Sequence, residues 1–323
     1  KIYVEFKNHF HDNWDKMLKN KIRNKKSGIL FYGLTPPKAT NTEEQIKVIT
    51  QKHIDRILPL EIDGLILYDI QDESDRTNKK RPFPFIKTLD STDYANDYLN
   101  VLNLPIVVYK AVGKYDKKNM SSWLEESKKS NSYSVFVGAA SDTQKSKMSI
   151  KDAYALKKDI NSDLVLGGIT IPERHSKKKD EHLRVFSKTD NGCEFFVSQA
   201  VYDLHASKKF LDDYSSYAKE NNKEIVPIIF TLTPCGSVKT LEFMKWLGIH
   251  IPELLERKLM ESGNILDDSV KFSIAIFESL YTYGLQKGIP IGCNVESVAI
   301  RKEEIDASIE LLNEVQKIMK RHK

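Results

Sequence analysis

The sequence predicts a (β/α)8 barrel of the TIM type. Three observations carry this. Eight short apolar runs rich in Val, Ile, Phe and Tyr recur along the chain. Amphipathic stretches of helical period separate them. The 323 residues, 40% of them hydrophobic, suffice for one large core. Near-continuous apolar strands are what a parallel sheet covered on both faces requires, and eight of them with intervening helices favour a closed barrel over an open sheet. The whole of 1–323 is expected to be one domain, with 1–28 an N-terminal extension and 29–323 the barrel.

The strands are expected near Ile29–Leu34, Gly64–Ile70, Pro105–Ala111, Ser134–Gly138, Leu164–Ile169, Phe195–Ala200, Val226–Leu232 and Ile289–Val295. An amphipathic segment near Phe6–Asn20 precedes the first and is placed as a helix closing the barrel bottom. Ser149 opens a helix carrying Ile150, Ala153 and Leu156 inward. Asp203 is a good N-cap for a helix with Leu204, Leu211, Tyr214 and Ala218 on its apolar face. Between the seventh and eighth strands there is room for helices over Thr240–Leu247, Ile251–Glu261 and Asp268–Lys287, with Pro252 in the first turn of the second. Ile305, Ile309, Leu312, Val315 and Met319 fall at helical spacing in the last helix.

Net charge is +5, and Lys far outnumbers Arg. Nucleic-acid surfaces favour Arg forks and basic-aromatic stripes, which are missing, so a solvated Lys-rich surface is the reading and no nucleic-acid partner is expected. Cys193, Cys235 and Cys293 lie far apart with no CxxC spacing, which writes neither a disulfide framework nor a local metal site. No apolar run reaches membrane-spanning length and no signal peptide is evident. A cytoplasmic protein without membrane partners is expected, as a monomer or a homo-oligomer.

In a parallel barrel the C-terminal strand ends form the site. The second strand runs into Asp69 and a loop crowded with acceptors, a candidate substrate contact. The fourth ends in Gly138-Ala139-Ala140, and the fifth contains Gly168. Such small residues let a ring or phosphate approach the backbone. The fifth strand leads into Pro172-Glu173-Arg174-His175, where Glu173 and His175 are candidate acid-base groups. The sixth ends in Gln199, whose amide suits the edge of a heterocycle. After the seventh comes Thr233-Pro234-Cys235-Gly236-Ser237-Val238-Lys239, a weak phosphate signal. The eighth ends in Asn294 and Glu296, a candidate ligand contact and a candidate acid.

With those residues placed, the chain from about Ile29 to about Leu312 resembles the methylenetetrahydrofolate reductase family. Lys188–Gln199 is similar to that family's Lys, Asp-x-Gly turn and strand ending in Ser/Thr-Gln. Pro172-Glu173-Arg174-His175 resembles its Pro-Glu-x-His, Thr35-Pro36-Pro37 its Pro-Pro turn, and Asp75-Arg76-Thr77 its Asp-Arg-Thr. The resemblance implies reduction of 5,10-methylenetetrahydrofolate to 5-methyltetrahydrofolate by NAD(P)H, with or without FAD. It implies Gln199 on the folate ring, His175 beside a flavin, and Glu181 and Lys188 on the flavin's ribityl and phosphate part. Gly138, Ala140 and Gly168 fall among the cofactor-contacting positions. Two departures stand out: Gly33 occupies the place of the family's proton-donating Glu, and Val137-Gly138-Ala139-Ala140 replaces a Leu-Arg-Gly-Asp run. Glu173, His175 and Glu296 are then the candidate proton donors. The alternatives are a non-catalytic folate- or nucleotide-binding barrel, and a folate-dependent methyltransferase using Cys235, Cys293 and His175 around zinc.

Overall fold

The computed structural model describes residues 2–73, 77–130, 132–139 and 146–322. Eight parallel strands, β1 (Leu30–Leu34), β2 (Gly64–Leu67), β3 (Ile106–Ala111), β4 (Tyr133–Val137), β5 (Val165–Thr170), β6 (Cys193–Ala200), β7 (Ile228–Leu232) and β8 (Ile291–Val295), pair each with the next. β8 returns to β1 through Leu30–Cys293 and Tyr32–Val295, closing the ring. This is the expected (β/α)8 barrel.

Side chains alternate along each strand between two cores, as the period of two demands. Phe31, Ile66, Val107, Val135, Val165, Phe195, Val197 and Ile229 fill the barrel interior. Leu30, Leu65, Val108, Phe136, Leu166, Phe196, Ile228 and Cys293 face the helices. Gly167 lies inward because a Cβ there would stand 2.5 Å from the Phe195 ring.

Helix α1 (Ile2–Arg23) inserts Leu18 and Ile22 into the interior cluster, and the Tyr133 hydroxyl donates to the Asp15 carbonyl at 2.7 Å. It therefore stoppers the N-terminal end of the barrel, as expected. The outer layer comprises α2 (Glu43–Ile57), α3 (Ser91–Asp97), α4 (Lys117–Ser130), α5 (Ile150–Ile160), α6 (His175–Lys178), α7 (Glu181–Asp190), α8 (Leu204–Glu220), α9 (Val238–Trp246), α10 (Glu253–Glu261), α11 (Ile265–Lys287) and α12 (Lys302–Arg321). Ser149 and Asp203 cap α5 and α8 as anticipated, each side chain accepting a first-turn N–H. Pro252 stands one place earlier than expected, as the N-cap of α10 rather than inside its first turn. Among the described residues no helix is long and apolar enough to cross a membrane.

Candidate functional site at the barrel mouth

All eight strands end at one mouth, so the last inward side chain of each strand lines it. On β1 that position is Gly33. Its missing side chain leaves room for two neighbours: a Cβ on Gly33 would lie 2.8 Å from the Tyr68 hydroxyl and 3.0 Å from Asn294 Oδ1. Tyr68, two residues beyond inward-facing Ile66, packs edge to face on Tyr109 with ring centroids 4.9 Å apart. Asn294 Nδ2 donates to the Tyr68 hydroxyl at 2.8 Å and to Thr231 Oγ1 at 3.2 Å. The Glu296 carboxyl lies near the Tyr68 hydroxyl, close enough to influence its titration. Burial pushes Glu296 up to about 7, and the neighbouring Tyr68 partly opposes that rise. Burial and the nearby Glu296 charge raise both tyrosines.

Gln199, the last inward residue of β6, donates through Nε2 to the Leu247 carbonyl at 2.9 Å, beyond the end of α9. That bond fixes the amide, leaving Oε1 as a buried acceptor with no partner. A buried, unpaired carbonyl is costly, and a ligand N–H would relieve it.

The structure places several expected site residues elsewhere. Asp69 follows Tyr68 and so points out of the barrel. Its carboxylate accepts from the Ala111 N–H at 2.9 Å and the Tyr115 hydroxyl at 3.0 Å and pairs with Lys114, bracing the loop after β3. Asn294 is 0% exposed; its Nδ2 holds Tyr68 and Thr231 and its Oδ1 is a buried acceptor with no partner. Glu173 is 4% exposed and accepts from the N–H groups of Tyr202 (2.7 Å), Asp203 (3.1 Å) and His250 (3.3 Å). Burial nevertheless raises it to about 7. It ties the β5, β6 and β7 loops together. His175 is buried in the helical layer, with Nε2 2.7 Å from Asp213 on α8 and its ring edge-on to Phe210. Of the four candidate catalytic groups, Gln199 and Glu296 line the mouth, whereas Glu173 and His175 are enclosed by protein.

The candidate cofactor positions are similarly engaged. Glu181, 1% exposed, accepts from Thr170 Oγ1 (3.1 Å) and the Ile171 N–H (2.7 Å), with Arg174 and Arg184 at 3.7 and 3.8 Å. Lys188 donates to the Ile169 carbonyl, and burial lowers its pKa. Gly168 faces outward and is required by Phe196, whose ring would lie 2.6 Å from a Cβ. Gly138 has only ordinary contact with Ile150, and Ala140, like Asp75 and Arg76, lies outside the described residues. Glu181 and Lys188 bond the end of β5 and His175 Nε2 turns to α8, while Glu181 Oε2 and His175 Nδ1 remain buried without a hydrogen-bond partner.

The loop after β7 offers no phosphate cradle either. The Gly236 N–H donates to Glu304 Oε1 at 2.8 Å, and a Cβ on Gly236 would meet Glu304 Cγ at 2.3 Å, so a carboxylate from α12 already sits there. The zinc reading loses its geometry too. Cys293 faces the helices, Cys235 belongs to a separate cluster with Leu241 and Met244, and burial pushes the Cys235 thiol up to about 12. Tyr68, Tyr109 and Glu304 were not anticipated. Strand parity from Ile66 and Val107 would have placed the two tyrosines inward, whereas nothing local marks Glu304.

A closed eight-stranded parallel barrel defines the class: a TIM-barrel protein. Within that class the chain belongs to the methylenetetrahydrofolate reductase family. Residues 136–291 match the family described as methylenetetrahydrofolate reductase. An uncharacterized protein from Clostridium thermocellum that binds two copies of 5-methyl-5,6,7,8-tetrahydrofolic acid is 50% identical, covering 94% of this chain and 99% of that one, with a TM-score of 0.84. The spore cortex-lytic enzyme SleL of Bacillus cereus (13% identity, 90% of this chain and 75% of that one, TM-score 0.48) and a 2,3-dimethylmalate lyase (14%, 77% and 85%, 0.45) are far more distant and say nothing of function. No curated protein matches the chain.

Proposed function

We propose that this chain binds a reduced folate at the barrel mouth and reduces 5,10-methylenetetrahydrofolate to 5-methyltetrahydrofolate, taking hydride directly from NAD(P)H. The observation that carries this reading is Glu296, a carboxyl at the mouth that keeps its proton to about pH 7. Opening the methylene bridge consumes that proton. N10 takes it, the bond from N10 to the bridge carbon breaks, and a cationic iminium remains on N5. Hydride from the nicotinamide then adds to the bridge carbon, leaving an N5-methyl group and an oxidised nicotinamide. The protein's part is to hold the two rings together, exclude water and supply the proton. The unpaired Gln199 Oε1 accepts from an N–H of the pterin edge, and Tyr68 and Tyr109 floor the site. Family membership supports the reaction class, and the 5-methyltetrahydrofolate bound by the Clostridium thermocellum relative supports the ligand class.

A second reading, a folate-binding barrel without turnover, is favoured by the engagement of Glu181, Lys188 and His175 in the protein's own contacts. One pair of measurements separates the two: 5-methyltetrahydrofolate titrated against tryptophan fluorescence, and NAD(P)H oxidation followed with and without 5,10-methylenetetrahydrofolate. Folate-dependent oxidation supports the reductase. Saturable binding without oxidation supports the binding barrel, and no binding overturns both.

A further inference from the structure

The loop after β2 carries a basic run, Lys79-Lys80-Arg81, for which the reaction above has given no task. It reaches the helix after β7, although β8 and β1 stand between the two strands in the ring. Trp246 Nε1 on α9 donates to the Lys79 carbonyl at 2.9 Å and so ties loop to helix. Beside that tie lies a cavity of about 530 Å³ lined by Lys80, Arg81, Pro82, Val238, Lys239 and Glu242. Cations therefore outnumber carboxylates on its walls. Asp72 and Glu73 also act on the Arg81 charge, but neither lines the cavity.

Arg81 is held in place by aromatic rings. Its guanidinium carbon stands 4.9 Å from the Phe243 ring centroid and 5.2 Å from that of Trp246, and Nη1 donates to the Phe83 carbonyl. Those two rings are buried and stacked on each other. Lys239 Nζ lies 4.7 Å from the Phe83 centroid. Rings that fix the guanidinium plane leave its N–H edge to grip a carboxylate through paired hydrogen bonds. The cavity also stands at a set distance from Gln199. Leu247, directly after α9, holds the Gln199 amide, whereas Lys239 is in the first turn of that helix, about 12 Å away along its axis. In a reduced folate the p-aminobenzoyl group spaces the glutamate from the pterin by a comparable length.

We propose that this cavity takes the glutamate tail of the folate: with the pterin edge on Gln199, the tail carboxylates pair with Arg81, Lys80 and Lys239. The proposal rests on the folate reading and needs no turnover. Pro82 and Val238 give the tail methylenes an apolar wall, and Glu242 repels a carboxylate, which keeps the tail on the Arg81 side. Further γ-linked glutamates add carboxylates at the same place, so a longer tail binds more tightly.

The test is calorimetric titration of the full chain with 5-methyltetrahydrofolate carrying one glutamate or three. The triglutamate is expected to bind at least about tenfold tighter at low salt and to lose most of that advantage in about 1 M salt, where surface charges are screened beyond roughly 3 Å. Lys80→Gln combined with Lys239→Gln, both at exposed positions, should abolish the preference while the monoglutamate affinity stays within about threefold. Lys158→Gln combined with Lys219→Gln, exposed and near the far ends of α5 and α8, changes net charge equally and should leave the preference intact. Equal affinity of the two ligands in the wild type, or a preference that survives the cavity substitutions, overturns the proposal and leaves the folate site standing. A preference lost in the distant pair as well belongs to the net field of the protein and overturns it too. Cavity substitutions that raise the KM for NAD(P)H and leave both folate affinities unchanged would assign the cavity to a dinucleotide phosphate instead. Binding of neither folate removes the folate reading, and this assignment with it.

Discussion

Glu173 shows how one buried carboxyl reports on the fold rather than on chemistry. Three backbone N–H groups from different loops converge on it, yet burial lifts it from 4.5 to about 7. The folded protein then holds this proton more tightly than the unfolded chain does. The stabilisation is complete below about pH 4.5 and is lost as pH rises through about 7. Thermal unfolding of the wild type should therefore occur at lower temperature at pH 8 than at pH 5. Glu173→Gln should flatten that slope, at a fixed cost of about 1–3 kcal/mol for the N–H group its amide cannot serve. A wild-type pH dependence that survives the substitution intact would assign it to other groups. Gln199 is the contrasting case, with an acceptor left unpaired inside the mouth. Gln199→Ala should weaken 5-methyltetrahydrofolate binding at least about tenfold, on the order of 1.4 kcal/mol. Unchanged affinity would remove Gln199 from the site. Both residues were visible in the sequence as polar groups at strand ends, but parity and loop packing separate their roles. Gln199 shares the inward parity of Phe195 and Val197, whereas Glu173 lies beyond its strand, where no periodicity applies.

At the scale of elements, apolar period located the strands to within a few residues. β2 ends at Leu67 rather than Ile70, because Asp69 turns outward to brace the next loop. The caps Ser149 and Asp203 were readable because an N-cap needs only local chemistry. The stopper α1 was readable as an amphipathic segment, and its depth of insertion shows how far the closed bottom depends on it. Leu18 and Ile22 are each 1% exposed inside the ring. Leu18→Ala should cost about 2–5 kcal/mol, read as a lower denaturant midpoint, through lost burial and the cavity left behind. A surface-like change below about 0.5 kcal/mol would mean the helix does not seat in the barrel. The β7 loop was the harder case. Gly236-Ser237-Val238-Lys239 looked capable of holding an anion, and it does hold one, but the anion is the protein's own Glu304, 68 residues further along the chain. No local pattern announces such a partner. Gly236→Ala should expel that carboxylate and destabilise the protein by about 1–3 kcal/mol, measurable as the same midpoint shift.

Across the whole molecule, ring closure creates what neither half of the chain contains. Tyr68 and Asn294 stand 226 residues apart in sequence and meet only because β8 returns to β1, the strand whose Gly33 makes room for both. The sequence revealed a missing acid on strand one. It could not reveal that the vacated volume is filled by a tyrosine just after β2, bonded to an amide on β8. The same whole-molecule view bears on the proposed direct hydride transfer. Glu181, Lys188 and His175 lie along one side of the barrel, and each is bonded to the protein: to the β5 terminus, to the Ile169 carbonyl and to Asp213. On the proposed direct hydride transfer, these residues serve the protein's own contacts rather than a flavin. Freshly purified protein should therefore lack flavin absorbance and should gain none after incubation with excess FAD and desalting. NAD(P)H oxidation, where it occurs, should need methylenetetrahydrofolate and be indifferent to added FAD. Stoichiometric retention of FAD, bleached by NAD(P)H without folate, would show instead that these contacts rearrange to admit the cofactor, and direct hydride transfer would fall with them.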